Sequence, residues 1–145
     1  MSVSIGGVLD LASIVDQAGD AFVFADREGV IRIWNAAAAR VFGFTAEEVV
    51  GRGMDIMIPE KLRDAHWRGY RNAMATGELR LAGKATLTRG AHKSGARLYV
   101  EMTFALVRDA NGQPAGSVAI ARDVTEREMQ ARARSAHPGP ATSAG

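Results

Sequence analysis

Residues Ile31–Arg52 read IRIWNAAAARVFGFTAEEVVGR, and the order of signals in this stretch decides the fold. Val30 to Trp34 is a short strand with apolar residues at Val30, Ile31, Ile33 and Trp34. Asn35 follows at once and is a good N-cap for a helix over Ala36 to Phe42, which Gly43 stops. Thr45-Ala46-Glu47-Glu48 is a capping box, in which the Thr45 hydroxyl and the Glu48 carboxylate each take a backbone donor of the other. The helix it opens is short and ends at Gly51.

Upstream, Ala21 to Ala25 pairs with this strand as a hairpin across Asp26-Arg27-Glu28-Gly29, with glycine where a positive φ is needed. Val8 to Val15 reads as a helix with one broad apolar side. Downstream comes a loop containing Met54, Ile56 and Met57, and then Pro59 introduces a helix that runs to Gly77. Leu79 to Arg89 reads as a strand, His92 to Gly95 as its turn, and Arg97 to Val107 as a second strand. There Leu98, Val100, Met102, Phe104 and Leu106 alternate with Tyr99, Glu101, Thr103 and Ala105, which makes one face apolar. Asp109 to Gly112 turns the chain into Ala115 to Arg122, and a last helix begins at Asp123-Val124-Thr125-Glu126-Arg127. Two strands, a block of helices and three more strands give an α+β class, with a five-stranded antiparallel sheet and helices gathered on one face. The expected organisation is an N-terminal flanking helix in 1–19, a sheet-and-helix domain in 20–123, a C-terminal helix in 124–136 and a disordered tail in 137–145, HPGPATSAG.

At 145 residues the chain holds one domain, and with 47% hydrophobic residues it can build an ordinary core. No apolar run reaches the length of a membrane span, and MSVSIGGVLD lacks the basic and apolar regions of a signal peptide. A cytoplasmic location is expected. The chain has no cysteine, which excludes disulfides, thiolate metal sites and photochemistry that bonds a chromophore to cysteine. The formal charge of +2 is spread along the chain, and Arg132 to Arg134 reads as a solvated helix face. Neither a nucleic-acid partner nor a membrane is expected. No catalytic set is evident: Ser94 shares a turn with Gly95 near His92, itself expected to be exposed, and Gly6-Gly7 lacks the rest of a phosphate loop. The expectation is no enzymatic activity.

The helix from Glu60 to Gly77 carries the most informative side chain. At about 100° per residue, Lys61, Asp64, Arg68, Arg71 and Asn72 fall on one side. Leu62, His66, Gly69, Tyr70, Ala73 and Met74 fall on the other, with Trp67 at the edge. An inward imidazole needs a partner, because burying an unpaired polar group costs roughly 1–3 kcal/mol. An internal carbonyl, a water or a bound cofactor would each supply one.

The element order and several local phrases resemble the PAS sensor family. Ile31–Arg52 is similar to the family's second strand, Trp-Asn corner and first two helices. KSGARLYVEMTFALVRDANGQPAGSVAIARDVTERE, residues Lys93 to Glu128, is similar to its last strands and its Asp-x-Thr exit into a signalling helix. The likeness spans Ala21 to Arg127 and implies a PAS fold that senses a ligand and relays the change outward. By this resemblance Asp123, Thr125 and Arg127 form the relay junction.

Around His66, the residues Ile58-Pro59, Leu62-Arg63 and Ala65-His66 resemble the corresponding helix of haem-binding PAS oxygen sensors, which implies His66 as the axial ligand of a haem iron. Those sensors place an arginine or methionine on the following strand, where this chain has Thr86 and Lys84. Thr86 can give one hydrogen bond, and Lys84 could ligate only without its proton. Three readings stay open. One is a sensor of a small apolar or amphipathic ligand, walled by Phe24, Ile33, Met54, Met57, Leu62, Tyr70, Met102, Phe104 and Ile120. The second is a haem-based gas or redox sensor through His66. The third is a ligand-free dimerisation or docking module that uses the Val8 to Val15 helix and the outer sheet face. The partners implied are a second copy of the chain and a downstream signalling protein or fused output domain.

Overall fold

The computed structural model describes residues 4–5, 9–80 and 83–136. After a two-residue pair of strands, β1 (Ser4–Ile5) and β2 (Leu9–Asp10), comes the helix α1 (Leu11–Gln17), which the Asp10 carboxylate caps at Ala12 N. The main sheet comprises β3 (Ala21–Asp26), β4 (Ile31–Trp34), β5 (Thr86–Ala91), β6 (Arg97–Arg108) and β7 (Pro114–Asp123). It is antiparallel in the order β4-β3-β7-β6-β5, so β7, last in sequence, sits at the centre. Between β4 and β5 lie α2 (Ala36–Phe42), α3 (Ala46–Val49) and α4 (Arg63–Thr76). The terminal helix α5 (Thr125–Ala136) follows β7. The α+β class with a five-stranded antiparallel sheet holds.

The registers assign the faces, because residues paired across an antiparallel ladder point the same way. Ala21, Val23 and Ala25 on β3 pair with Ala121, Ala119 and Ser117 on β7. Ala121 and Ala119 pair in turn with Met102 and Phe104 on β6. This inner face holds the core together with Ile31, Trp34, Ala38, Phe42, Val49, Met54, Met57, Tyr70, Ala73 and Met74. Small alanines on the central strands leave room for the large side chains the helices bring. Asn35 is the buried polar hub of this assembly. Its Oδ1 accepts from Phe22 N and Ala38 N, and its Nδ2 donates to Val15 O and Asp20 O, tying α1, β3 and the start of α2 together.

Several expected boundaries shift. The Val8 to Val15 helix begins instead at Leu11, and Val8 lies outside the described residues with the 137–145 tail and Gly6-Gly7. The strand expected over Leu79 to Arg89 is Thr86–Ala91, because Gly83 at φ +74° puts a turn before it. Residues 54–57 are a 3-10 turn rather than plain loop. The helix expected from Glu60 opens as a 3-10 turn, Glu60–Leu62, before α4 proper. His92 is half-buried rather than exposed: its ring covers Gly43, and its Nδ1 meets Ser94 Oγ at 2.9 Å.

Candidate functional site

Helix α4 stops at Gly77, which takes φ +73° as its left-handed C-cap, a conformation glycine adopts without steric cost. Two side chains fasten it to the sheet. The Tyr70 hydroxyl donates to the carbonyls of Ala25 and Asp26 at the end of β3. Arg108 at the end of β6 donates to Gly77 O at 2.7 Å and to Gly112 O at 3.0 Å, bridging the helix terminus and the β6–β7 turn. Trp67 forms a third fastening. Its ring lies flush on Gly29, where an added Cβ would overlap it, so the β3–β4 turn and α4 meet only because residue 29 has no side chain.

His66 sits one turn before Tyr70. The two rings stack, with centroids 6.1 Å apart and planes 26° apart, and Trp67 meets His66 edge-on at 5.2 Å. His66 is half-buried, and its Nε2 is fully enclosed with no hydrogen-bond partner among the described residues. Burial pushes the imidazole below its ordinary pKa, against a weaker upward pull from the Asp55 carboxylate, so the neutral ring is favoured. Burial also pushes the Tyr70 phenol up. Among the described residues, no carbonyl or side chain meets Nε2. Such an enclosed orphan costs about 1–3 kcal/mol unless something else meets it.

The other expected site residues divide by face. Tyr70 and Met102 are buried on the inner side, and Phe104 is half-buried there. Thr86 opens β5 opposite Met102, on the same face, and is half-buried. Three expected site residues do not converge with them. Leu62 lies in the 3-10 turn before α4 and is 37% exposed, because the tighter winding rotates it off the helix's inner stripe. Lys84 is exposed ahead of β5. Ile120 pairs with Phe22 and Thr103 on the outer face of the sheet. Phe24 and Ile33, paired with each other, also face outward. Met54 and Met57 are buried as expected.

An axial haem ligand needs an inward imidazole nitrogen with no competing partner, and His66 Nε2 has that chemistry. The expected distal pair does not match it, since Lys84 points to solvent and Thr86 spends its hydroxyl weakly on Lys84 O at 3.4 Å. Two surface depressions, one along α5 and one at Pro59 to Lys61, are open to solvent and do not include His66. The donor fits the group, whereas Leu62, Lys84 and Ile120 form no wall for it.

At the opposite end, Asp123 and Thr125 form a closed junction. The Asp123 carboxylate accepts from Thr125 N at 2.9 Å and from its hydroxyl at 2.6 Å, while Thr125 Oγ1 accepts from Tyr99 N at 2.9 Å. Val124 N donates to Tyr99 O. Arg127 reaches Glu101 at 3.4 Å. Sequence reasoning missed Tyr99, Asp55 and Arg108. Tyr99 alone left a signal, an aromatic in an outward slot of β6 opposite a helix start.

The PAS fold family model matches residues 15–129. The chain belongs to the PAS family. It is 27% identical over 123 residues to the sensor protein FixL of Bradyrhizobium diazoefficiens, covering 84% of this chain and 24% of that protein. It is 28% identical over 101 residues to the oxygen sensor protein DosP of Escherichia coli K12, covering 61% of this chain and 13% of that protein. This PAS chain thus spans a quarter or less of the length of these relatives. Its backbone is similar to the PAS domain of a Colwellia psychrerythraea protein, with a TM-score of 0.69, 23% identity, and coverage of 80% of this chain and 95% of that one. Among the described residues, no helix is long and apolar enough to cross a membrane.

Proposed function

We propose that this PAS chain is a sensory module whose ligand docks against α4 and completes His66 Nε2. The enclosed, unpartnered nitrogen is the observation that carries this reading. A neutral imidazole offers an acceptor to a ligand hydroxyl or amide, or a lone pair to a metal. Meeting it would recover the cost of the orphan, so the bound state would be favoured over the free one through an interaction only the ligand supplies. Tyr70, stacked on His66 and bonded to β3, is placed to feel that change first. Sensor relatives support the role in general. The domain 20–123 would sense, and the helix 124–136 would carry the output to a signalling partner or a fused domain, with no catalysis of its own.

A second reading is that the ligand is haem, held by His66, and the same nitrogen favours it. Haem would supply gas or redox chemistry. The chain's own part would be to present a neutral imidazole from a helix clamped at Tyr70 and Arg108. The exposed apolar side chains Leu11 and Ile14 on α1 and Ile33 and Leu87 on the outer sheet face support pairing with a second copy.

The test compares wild type and His66→Ala by visible absorption before and after haemin, and by native mass spectrometry as purified. A sharp Soret band lost in His66→Ala establishes the haem reading. A retained small molecule lost in His66→Ala establishes the sensory site with another ligand. No Soret band and no retained mass in wild type would overturn the ligand-binding proposal and leave a docking module.

A further inference from the structure

The two edges of the main sheet differ. Along β4 the segment 51–54 closes the edge: Ile31 N donates to Arg52 O, Gly51 N to Ile31 O and Met54 N to Gly29 O. The state of the β5 edge follows from β6. Tyr99 turns both of its backbone groups toward the end of β7, since its C=O accepts from Val124 N and its N–H donates to Thr125 Oγ1. Phe104 O, an odd number of positions along, turns the other way and accepts from Gly83 N. Alternate residues of a strand bond to opposite sides, so Leu98, Val100 and Met102 bond to β5 through their partners Gly90, Thr88 and Thr86. Leu87 and Arg89, lying between those partners, send their N–H and C=O groups away from the sheet. Among the described residues, nothing bonds to them there. The edge is closed only further on, where Lys93 N donates to Phe42 O at 2.9 Å. Such an open edge is a template for another strand, and proteins usually cover it.

The side chains along the edge define what fits it. Leu87 and Arg89 stand on the outer face, opposite Glu101 and Tyr99, and Leu87 is 47% exposed. The Arg89 guanidinium rests 5.3 Å from the Tyr99 ring centroid, a cation–π contact that steadies it beside the edge. Among the described residues it has no carboxylate partner. The acids around it are spent, Glu101 on Arg127 and Glu48 on Lys93. Arg97, opposite Ala91 on the same face, adds a second cation. We propose that the free edge of β5 docks an extended acidic segment of a partner protein, which adds one strand and sets a carboxylate beside Arg89 and an apolar side chain beside Leu87. Because Leu87 and Arg89 are two positions apart on one face, the segment carries its acid and its apolar residue at the same spacing. A second copy of the chain fits less well. The open window, Leu87 to Ala91, is centred on Arg89, so two copies using all of it would set Arg89 against Arg89, and like charges directly opposite destabilise a pair. The edge does not depend on what occupies the His66 site, so it stands or falls separately from the ligand proposal.

Amide exchange of the full 145-residue chain, alone and with a probe peptide, tests this. The probe alternates threonine with glutamate and valine in turn, and its control carries lysine in place of glutamate. In the free chain, the amides of Leu87 and Arg89 should exchange faster than those of Thr88 and Gly90, which bond to β6. The glutamate probe should protect Leu87 and Arg89, and the lysine probe should not. Arg89→Glu, at an exposed position, should weaken the glutamate probe about five-fold in a fluorescence-anisotropy titration and strengthen the lysine probe by a similar factor. A reversal of that kind cannot come from lost folding. The proposal is overturned if Leu87 and Arg89 exchange as slowly as Thr88 and Gly90, or if the glutamate probe leaves them unprotected. It is also overturned if Arg89→Glu keeps the preference for glutamate. Protection of the same two amides that grows with protein concentration, without any probe, would make a second copy the occupant and overturn the acidic partner.

Discussion

Replacing Asn35 by alanine removes four hydrogen bonds at one stroke, and the cost can be worked from its partners. Asn35 is 2% exposed. Its Oδ1 caps α2 at Ala38 N and also accepts from Phe22 N, both at 2.9 Å. Its Nδ2 donates to Val15 O at 2.9 Å and Asp20 O at 3.1 Å. Loss of the cap costs about 1 kcal/mol. The Phe22 amide and the Asp20 carbonyl then lose this partner, at about 1–3 kcal/mol for each that water cannot reach, while Val15 O keeps the Ala18 amide. Val15 and Asp20 are half-buried and will be rehydrated in part, so the total expected is roughly 3–5 kcal/mol. That is a large share of the ordinary 5–15 kcal/mol of domain stability. In urea unfolding, the midpoint should fall by about 2 M for a slope typical of small domains. Asn35→Asp keeps both acceptor bonds but sets a carboxylate against two carbonyls, so it should be no better than alanine at neutral pH. It should recover in part in mild acid, where a protonated carboxyl can donate once. A midpoint shift below about 0.5 M for Asn35→Ala would refute the hub and leave Asn35 a simple helix cap.

Gly116 has φ +155°, and a Cβ there would overlap Ala25 O and approach Phe24 Cζ at 2.9 Å, so Gly116→Ala should break the β3–β7 register locally and lower the thermal midpoint clearly. Gly29→Ala should expel Trp67 from its seat, read as a red shift and stronger quenching of tryptophan fluorescence, and unchanged emission would show that the turn yields instead. His66 makes stability depend on pH. Burial lowers its pKa in the folded state, so below the ordinary value of about 6.5 the unfolded chain takes up the proton first. Stability should be full above that value and fall as pH drops toward the folded pKa, whereas His66→Gln should be flatter across the same window; parallel curves would contradict the assignment. Arg108→Ala should release the C-terminus of α4 from the β6–β7 turn and raise amide exchange at Ala75 to Glu78.

The parts of the fold legible in the sequence are those governed by local chemistry. Asn35, Gly43, the Thr45–Glu48 box and the alternation in β6 each act over a few residues, and each lies where the pattern puts it. The strand faces were less legible, because Phe22, Phe24, Ile33, Val118 and Ile120 are apolar on the outer side as well. A sheet apolar on both faces gives no alternation to read, so only the registers separate Phe104, inward, from Ile120, outward. Leu62 failed for a different reason. A 3-10 turn winds three residues per turn rather than 3.6, and starting the helical count at Glu60 instead of Arg63 carries the error onto the stripe. His66, Tyr70, Ala73 and Met74 lie within α4 proper, where the spacing of three and four holds.

This difference matters for how a signal could leave the site. His66 and Tyr70 share one rigid stretch of helix, so a ligand that reorients the imidazole would press on a phenol whose hydroxyl is bonded at the end of β3. There the β3–β4 ladder shifts register between Phe24 and Ala25, and Gly116 of β7 approaches Ala25 O closely. A bulge already lacks regular pairing, so it can yield at lower cost than an unbroken ladder. β7 continues from Gly116 along the centre of the sheet to Asp123, whose carboxylate holds Thr125 at the start of α5. Displacement at the bulge would reach that junction through one strand with partners on both sides. The readout at α5 would be a change in how firmly Thr125 meets Tyr99.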